Sequence, residues 1–290
     1  MQLDIFDDSR DVMLRNDVLS ALQHHDASGA RRALQILGHE YPDDAALVAL
    51  DTLATTLEAR CSAPFANHDA ALAARETLLA RVRASANQLM GERAAIAWLA
   101  PVWNELAQRA ADLAFRAAQP DAHCAAFYLH TGNWKAAETA VTRIESWRRI
   151  PAPLMWMAEC RYRLDSLEAA WSLLAELAWL APTRFDSLLR HLEDSSLDTL
   201  RRAFDASFEG SDDVADLAWF PARVLIQKTS LAPLLKQAQP CRDSEPERAA
   251  RLVLRLLALE REGRHHELME SRRDLRDLHD PLYRLYMKTR

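Results

Sequence analysis

Two stretches of this chain line up on each other at an offset of 33 residues. In the first, Ala125, Gly132, Ala136, Ala137, Val141 and Ile144 mark a helix, a tight turn and a second helix. In the second, Ala158, Asp165, Ala169, Ala170, Leu174 and Leu177 hold the same places. A period of this length constrains the fold, because a single helix–turn–helix unit has an apolar face that it cannot bury alone and must press against a neighbour. A third copy is legible near the start, where Ala30, Leu34, Leu37 and Pro42 repeat the spacing of Ala170, Leu174, Leu177 and Pro182.

Composition points the same way. Glycine occurs 6 times in 290 residues, where ordinary usage predicts about 20. Alanine, leucine, arginine and glutamate dominate, and these are strong helix formers. No segment alternates apolar and polar residues between turn signals, so strands are not expected. The expected fold class is all-α, an α-solenoid of antiparallel helical hairpins.

Apolar periodicity predicts helices over 11–25, 28–40, 44–61, 69–90 and 92–118, with Pro101 expected to kink or split the last. The matched units follow at 121–150 and 153–181. Ser-x-x-Asp within 194–198 is a capping signal, and Pro221 and Pro233 interrupt a helical stretch over 213–238. Residues 238–247 read as a linker that ends in a helix start, with Ser244 as cap, Pro246 in the first turn and Glu247 completing the box. The final hairpin, 246–262 and 265–278, turns at Gly263, and Leu282, Leu285 and Tyr286 of a terminal helix would cover its end. The expected organisation is a flexible peptide over 1–8, a repeat array over 9–240, and over 241–290 a hairpin plus capping helix continuous with the array.

A formal charge of −6 argues against direct nucleic-acid binding, which needs a basic footprint on the phosphates. Residues 1–60 carry −6 on their own, whereas the last 49 carry +2. Lysine appears only four times, so arginine supplies nearly all positive charge, the habit of a GC-rich bacterial genome. The four cysteines lie far apart without a CxxC pair and read as reduced, buried small hydrophobes. MQLDIFDDSR lacks the basic start and apolar run of a secretory signal, and no run of about 18 apolar residues could span a membrane. A cytoplasmic location follows.

Residues that carry chemistry are few. No glycine-rich phosphate loop and no HExxH occur. His24-His25 and His265-His266 are adjacent pairs, which on a helix point about 100° apart and cannot share a metal. Glu262-x-x-His265 has the spacing of a helical di-iron pair, but Gly263 sits inside it and no second copy exists. No catalytic residue, metal or cofactor is therefore expected. A helical enzyme is the competing class, and metal or cofactor retained by the purified protein would reveal it. Five of the eight tryptophans fall between Trp134 and Trp179, as expected for gap-fillers between stacked helices, although tryptophan is also enriched at binding hot spots.

Small residues where the paired helices cross (Ala30, Ala137, Ala170), turns at Gly132, Asp165 and Gly263, and proline after the second helix together resemble the tetratricopeptide repeat family. The resemblance covers about 120–182 well, 14–42 loosely and 248–281 weakly, where Leu268 replaces the small residue. Residues 44–118 and 183–240 carry no clear motif and leave another helical-repeat architecture open. In that family the first helix of each unit lines the ligand groove. The resemblance thus implies groove positions at Ala126, Leu129 and His130, then Met155, Glu159, Tyr162 and Arg163, and finally Glu260 and Arg261. It implies a non-enzymatic adaptor that binds a peptide or partner helix of unspecified identity.

One short motif stands apart. Gln2-Leu3-Asp4-Ile5-Phe6 resembles the peptide by which bacterial replication and repair proteins dock on the sliding clamp. That resemblance implies Leu3, Ile5 and Phe6 in an apolar pocket with Gln2 hydrogen-bonded at its rim. The competing arrangement folds Leu3, Ile5 and Phe6 back on the first helix as a staple.

Overall fold

The computed structural model describes residues 10–208, 210 and 213–290, so the clamp-like peptide Gln2–Phe6 lies outside the described residues. All regular structure among them is helical, as composition requires. The chain divides into two compact units, one up to Asn133 and one spanning Trp134–Arg290. The division falls at the Gly132 turn, inside the first matched repeat, and not near residue 240.

In the first unit α1 (Arg10–Gln23) and α2 (Ala27–Glu40) pack as a hairpin. The Asp26 carboxylate caps α2 by accepting the Gly29 N–H at 2.9 Å. A Cβ at Gly29 would fall against that carboxylate, which would have to shift to keep the cap. Along α2 only Ala30, Leu34 and Leu37 are buried, one stripe of an amphipathic helix. Next come α3 (Leu47–Glu58), α4 (His68–Thr77), a π-type turn (Leu78–Val82) and α5 (Arg83–Met90), which Gly91 ends at φ +77°.

Helix α6 (Glu92–Arg109) runs through Pro101 as one element. The expected split fails because Pro101 lies on the exposed side, where water can take the carbonyl it leaves unbonded. The helix also stops at Arg109 and not near 118. At the end of α1 the Leu22 carbonyl accepts both the His25 N–H at 3.0 Å and the Trp98 indole N–H at 2.7 Å, and the His25 ring stacks on that indole at 5.4 Å. Helix α7 (Cys124–His130) then lies against α6.

The second unit begins with α8 (Trp134–Thr142), α9 (Pro151–Leu164), α10 (Leu167–Leu180), α11 (Pro182–Leu192) and α12 (Ser195–Asp205). A 3-10 turn (Val214–Trp219) leads to α13 (Phe220–Gln227), α14 (Ala232–Leu235), α15 (Glu245–Glu262), α16 (His265–Leu278) and α17 (Asp280–Lys288). Its centre is α10, where eleven of 14 residues are buried, including Trp171, Leu174 and Trp179. Packed against it are α9, α11, α13, α14 and the 3-10 turn. Phe185, Phe204 and Trp171 converge on Phe220 at 5.5, 5.7 and 6.5 Å between ring centres. The stretch 183–240, which carries no repeat motif, thus supplies the cover over α10. Pro221 and Pro233 open α13 and α14, where a missing N–H costs nothing, and do not break a longer helix.

The expected linker is pinned. Buried Glu176 takes two bonds from Arg148 at 2.5 and 2.6 Å and the Gln239 N–H at 2.7 Å. Buried Glu247 accepts the N–H groups of Cys241, Arg242 and Asp243 at 3.0–3.2 Å, and Arg251 at 2.8 Å. Glu247 therefore stabilises the approach to α15, while the Ser244 hydroxyl makes no cap bond. Likewise Asp194, one residue ahead of the expected serine, caps α12 through the Leu197 N–H at 2.8 Å. All four cysteines are free. Cys124 and Cys160 are buried as expected, Cys241 is half-buried and Cys61 is exposed on the loop after α3, which corrects the reading of it as a core residue.

Candidate functional site

The nine groove positions implied by the repeat resemblance separate into three fates. On α7, Ala126 is 6 % exposed and offers no surface to a partner, because this short helix buries Cys124 through Phe127. Leu129 is half-buried, and exposed His130 stacks on Trp103 at 4.3 Å, covering α6. On α15, Glu260 is occupied within the fold. It accepts the Tyr286 hydroxyl and the Arg290 guanidinium (2.8 Å), with Arg272 at 3.6 Å, and so ties α17 to α15. Tyr286 is fully buried by this arrangement, as its covering role required. Arg261 is exposed.

The α9 positions come together. Met155, Glu159, Tyr162 and Arg163 recur at helical spacing, so their side chains share one face. Met155 and Tyr162 are half-buried and Arg163 is exposed. Three residues that the repeat spacing did not mark complete the face. The Arg163 guanidinium lies 5.7 Å from the ring centre of Trp134 and donates to the His191 carbonyl at 3.3 Å. The Tyr162 hydroxyl donates to Asp194 at 2.5 Å, so the carboxylate that caps α12 also fixes this ring. Asp194 stands out in the sequence only as part of a capping signal, and His191 carries no signal, being one polar residue in the last turn of α11.

Under this surface Glu159 is 4 % exposed. His191 Nε2 stands 3.0 Å from its Oε1, within ion-pair reach but out of line for a hydrogen bond. Burial pushes the Glu159 carboxyl above its ordinary value, opposed by the charges of His191 and Arg163. Burial, and then the bond to Asp194, raises the Tyr162 hydroxyl to about 12. The same bond holds Asp194 below the usual carboxylate range. Burial likewise raises the Cys160 thiol on this helix to about 12, far from the thiolate a nucleophile requires. The arrangement presents an aromatic ring, a guanidinium and a thioether to the outside.

The first unit has a different concavity. Ala59, Ala74, Leu78, Val102 and Leu106 line an apolar trough of about 370 Å³ among α3, α4 with its π-type turn, and α6. The Arg60–Glu105 ion pair (2.6 Å) borders both the trough and a more polar cleft of about 590 Å³. Among the described residues no three His, Cys, Asp or Glu side chains are grouped to hold a metal ion, and no helix is long and apolar enough to cross a membrane. Comparison of the chain with protein-family models, with curated proteins and with solved structures finds no match.

Proposed function

We propose that this protein is a non-enzymatic interaction module, built from degenerate tetratricopeptide-like helical hairpins of which the α9–α10 pair is enclosed by later chain, and that its α9 face receives a peptide or helix from a partner protein. The supporting observation is the held pair Tyr162 and Arg163. Aromatic rings and guanidinium groups carry much of the energy of protein interfaces. Here each is oriented before any partner arrives, Tyr162 by Asp194 and Arg163 by the Trp134 ring and the His191 carbonyl. Such preorganisation lowers the ordering cost of association. Full burial of the crossing residues Ala30 in the α1–α2 hairpin and Ala170 in the α9–α10 hairpin supports the hairpin part of the reading, since close helix approach needs small side chains there.

A photo-crosslinking amino acid placed in turn at Met155, at Arg163 and at Met269, an exposed position on α16, tests this in the cell of origin. Discrete adducts at the two α9 positions, absent at Met269 and weakened by Tyr162→Ala, are expected. Equal adducts at all three positions, or none, would overturn the reading.

A second reading rests on Gln2-Leu3-Asp4-Ile5-Phe6, which precedes α1 in the chain. It makes the protein an accessory of bacterial replication or repair, tethered to the sliding clamp while the hairpins engage a second protein. Purified clamp should retain the intact chain and lose the Leu3→Ala/Phe6→Ala variant; equal retention of both removes this reading.

A further inference from the structure

Outside the α9 face, the second unit carries a cleft of about 580 Å³ between α15 and α16 whose two walls have opposite charge. One wall is a row of arginines, Arg248, Arg251 and Arg255, on successive turns of α15. The other is Asp274 and Asp277 on α16, and Leu252 and Leu278 complete the lining. The walls do not neutralise each other. Arg251 pairs with Glu247 on its own helix, and Asp277 with its neighbour Arg276. Arg248, Arg255 and Asp274 are exposed and have no ion-pair partner among the described residues. Facing rows of unlike charge, three of whose five charged side chains pair with nothing in their own chain among the described residues, point to a partner that pairs them.

We propose that this face is an interface between two copies of the chain. Helices α15 and α16 are antiparallel around the Gly263 turn, and the arginine and aspartate rows lie at one level along the hairpin, since both line the same cleft. A two-fold axis parallel to the hairpin keeps each residue at its own height while exchanging the walls. It sets the arginine row of one copy over the aspartate row of the other, and the reverse. An isologous contact uses one patch twice and must be complementary to itself, and a face with an arginine half and an aspartate half meets that requirement. A partner helix of uniform charge does not, because it would be repelled by one wall.

The test is the mass of the full chain in solution, by sedimentation equilibrium, with charge reversals. The intact protein should be a dimer at low salt, weakened about tenfold or more as rising ionic strength shortens the screening length. Arg255→Glu and Asp274→Arg should each be monomeric alone. Mixed one to one they should form a heterodimer. In that mixture the two introduced charges, which are opposite in sign, face each other, and the unaltered Arg255 of one variant faces the unaltered Asp274 of the other. Arg248→Glu with Asp277→Arg is an independent pair for the case in which either first variant is misfolded by circular dichroism. A monomeric intact chain, a dimer indifferent to both reversals, or mixtures that fail to associate would each overturn the proposal.

Discussion

Helices α2 and α10 are both 14 residues long, both second members of hairpins, and both carry the alanine–leucine spacing that exposes the repeat. Yet α2 buries three residues and α10 buries eleven. The shared motif accounts for what they have in common, the stripe by which each meets its hairpin partner. The difference lies in the remaining faces. On α2 those positions are Arg31, Arg32, Gln35 and His39, and Arg31 reaches Asp51 and Glu58 at 2.6 Å near the surface. On α10 they are Trp171, Leu173, Ala175 and Trp179, side chains that require cover, and chain from 183 onward provides it. In a linear array each repeat touches only its neighbours. Around α10 the packing instead draws on residues far along the chain, such as Phe220 on α13 and Leu235 on α14.

The largest effect should follow from removing what fills that enclosure. Trp171→Ala, at a site 1 % exposed, should cost about 3–5 kcal/mol in urea unfolding followed by circular dichroism. Leu34→Ala, on a helix whose outer face meets solvent, should fall at or below the lower end of that range. Equal losses at the two sites would erase the contrast between the helices.

Glu176→Gln removes the charge that binds Arg148 and the Gln239 N–H in a fully buried position. Its expected cost is about 2–3 kcal/mol, less than for a wholly enclosed pair because Arg148 can turn to water. Proteolysis within 236–244 should quicken in the same variant, since that carboxylate holds the segment in place.

Enlarging the crossing residues sharpens the comparison further. Ala170→Leu and Ala30→Leu should each destabilise by about 1–3 kcal/mol. The penalty should be greater at 170, where covered faces on every side prevent the helix from shifting outward.

The smallest effect carries a pH signature. The Glu159 carboxyl is raised by burial, so its contribution to stability is complete below the ordinary value of 4.5 and is lost as pH climbs through the folded value. Glu159→Gln keeps that position neutral at every pH. It should therefore melt above the native protein at pH 7–8, and the gain should vanish toward pH 4. A gain independent of pH would place its cause elsewhere.

Much of this architecture is legible in the sequence, because helix propensity and a 3.6-residue stripe are local properties. The α1–α2, α9–α10 and α15–α16 hairpins sit within a few residues of where periodicity puts them. What stays hidden depends on distant chain. Pro221 and Pro233 read as interruptions because the helices they open are short and their burial comes from α10. The segment 238–247 reads as a linker because nothing local shows that Glu176 will accept its backbone. The α9 face is half legible: spacing supplies Met155, Glu159, Tyr162 and Arg163, whereas His191 and Asp194 reach it only through the packing of α11 against α9.

Amide hydrogen exchange of the native protein, read helix by helix, tests the central contrast most directly. Amides of α10 should exchange only through global unfolding of their unit, while those of α2 open at lower free energy through local fluctuations. Exchange of α10 as fast as α2 would mean that the two helices are equivalent members of a linear array and that the enclosure of α10 does not exist in solution.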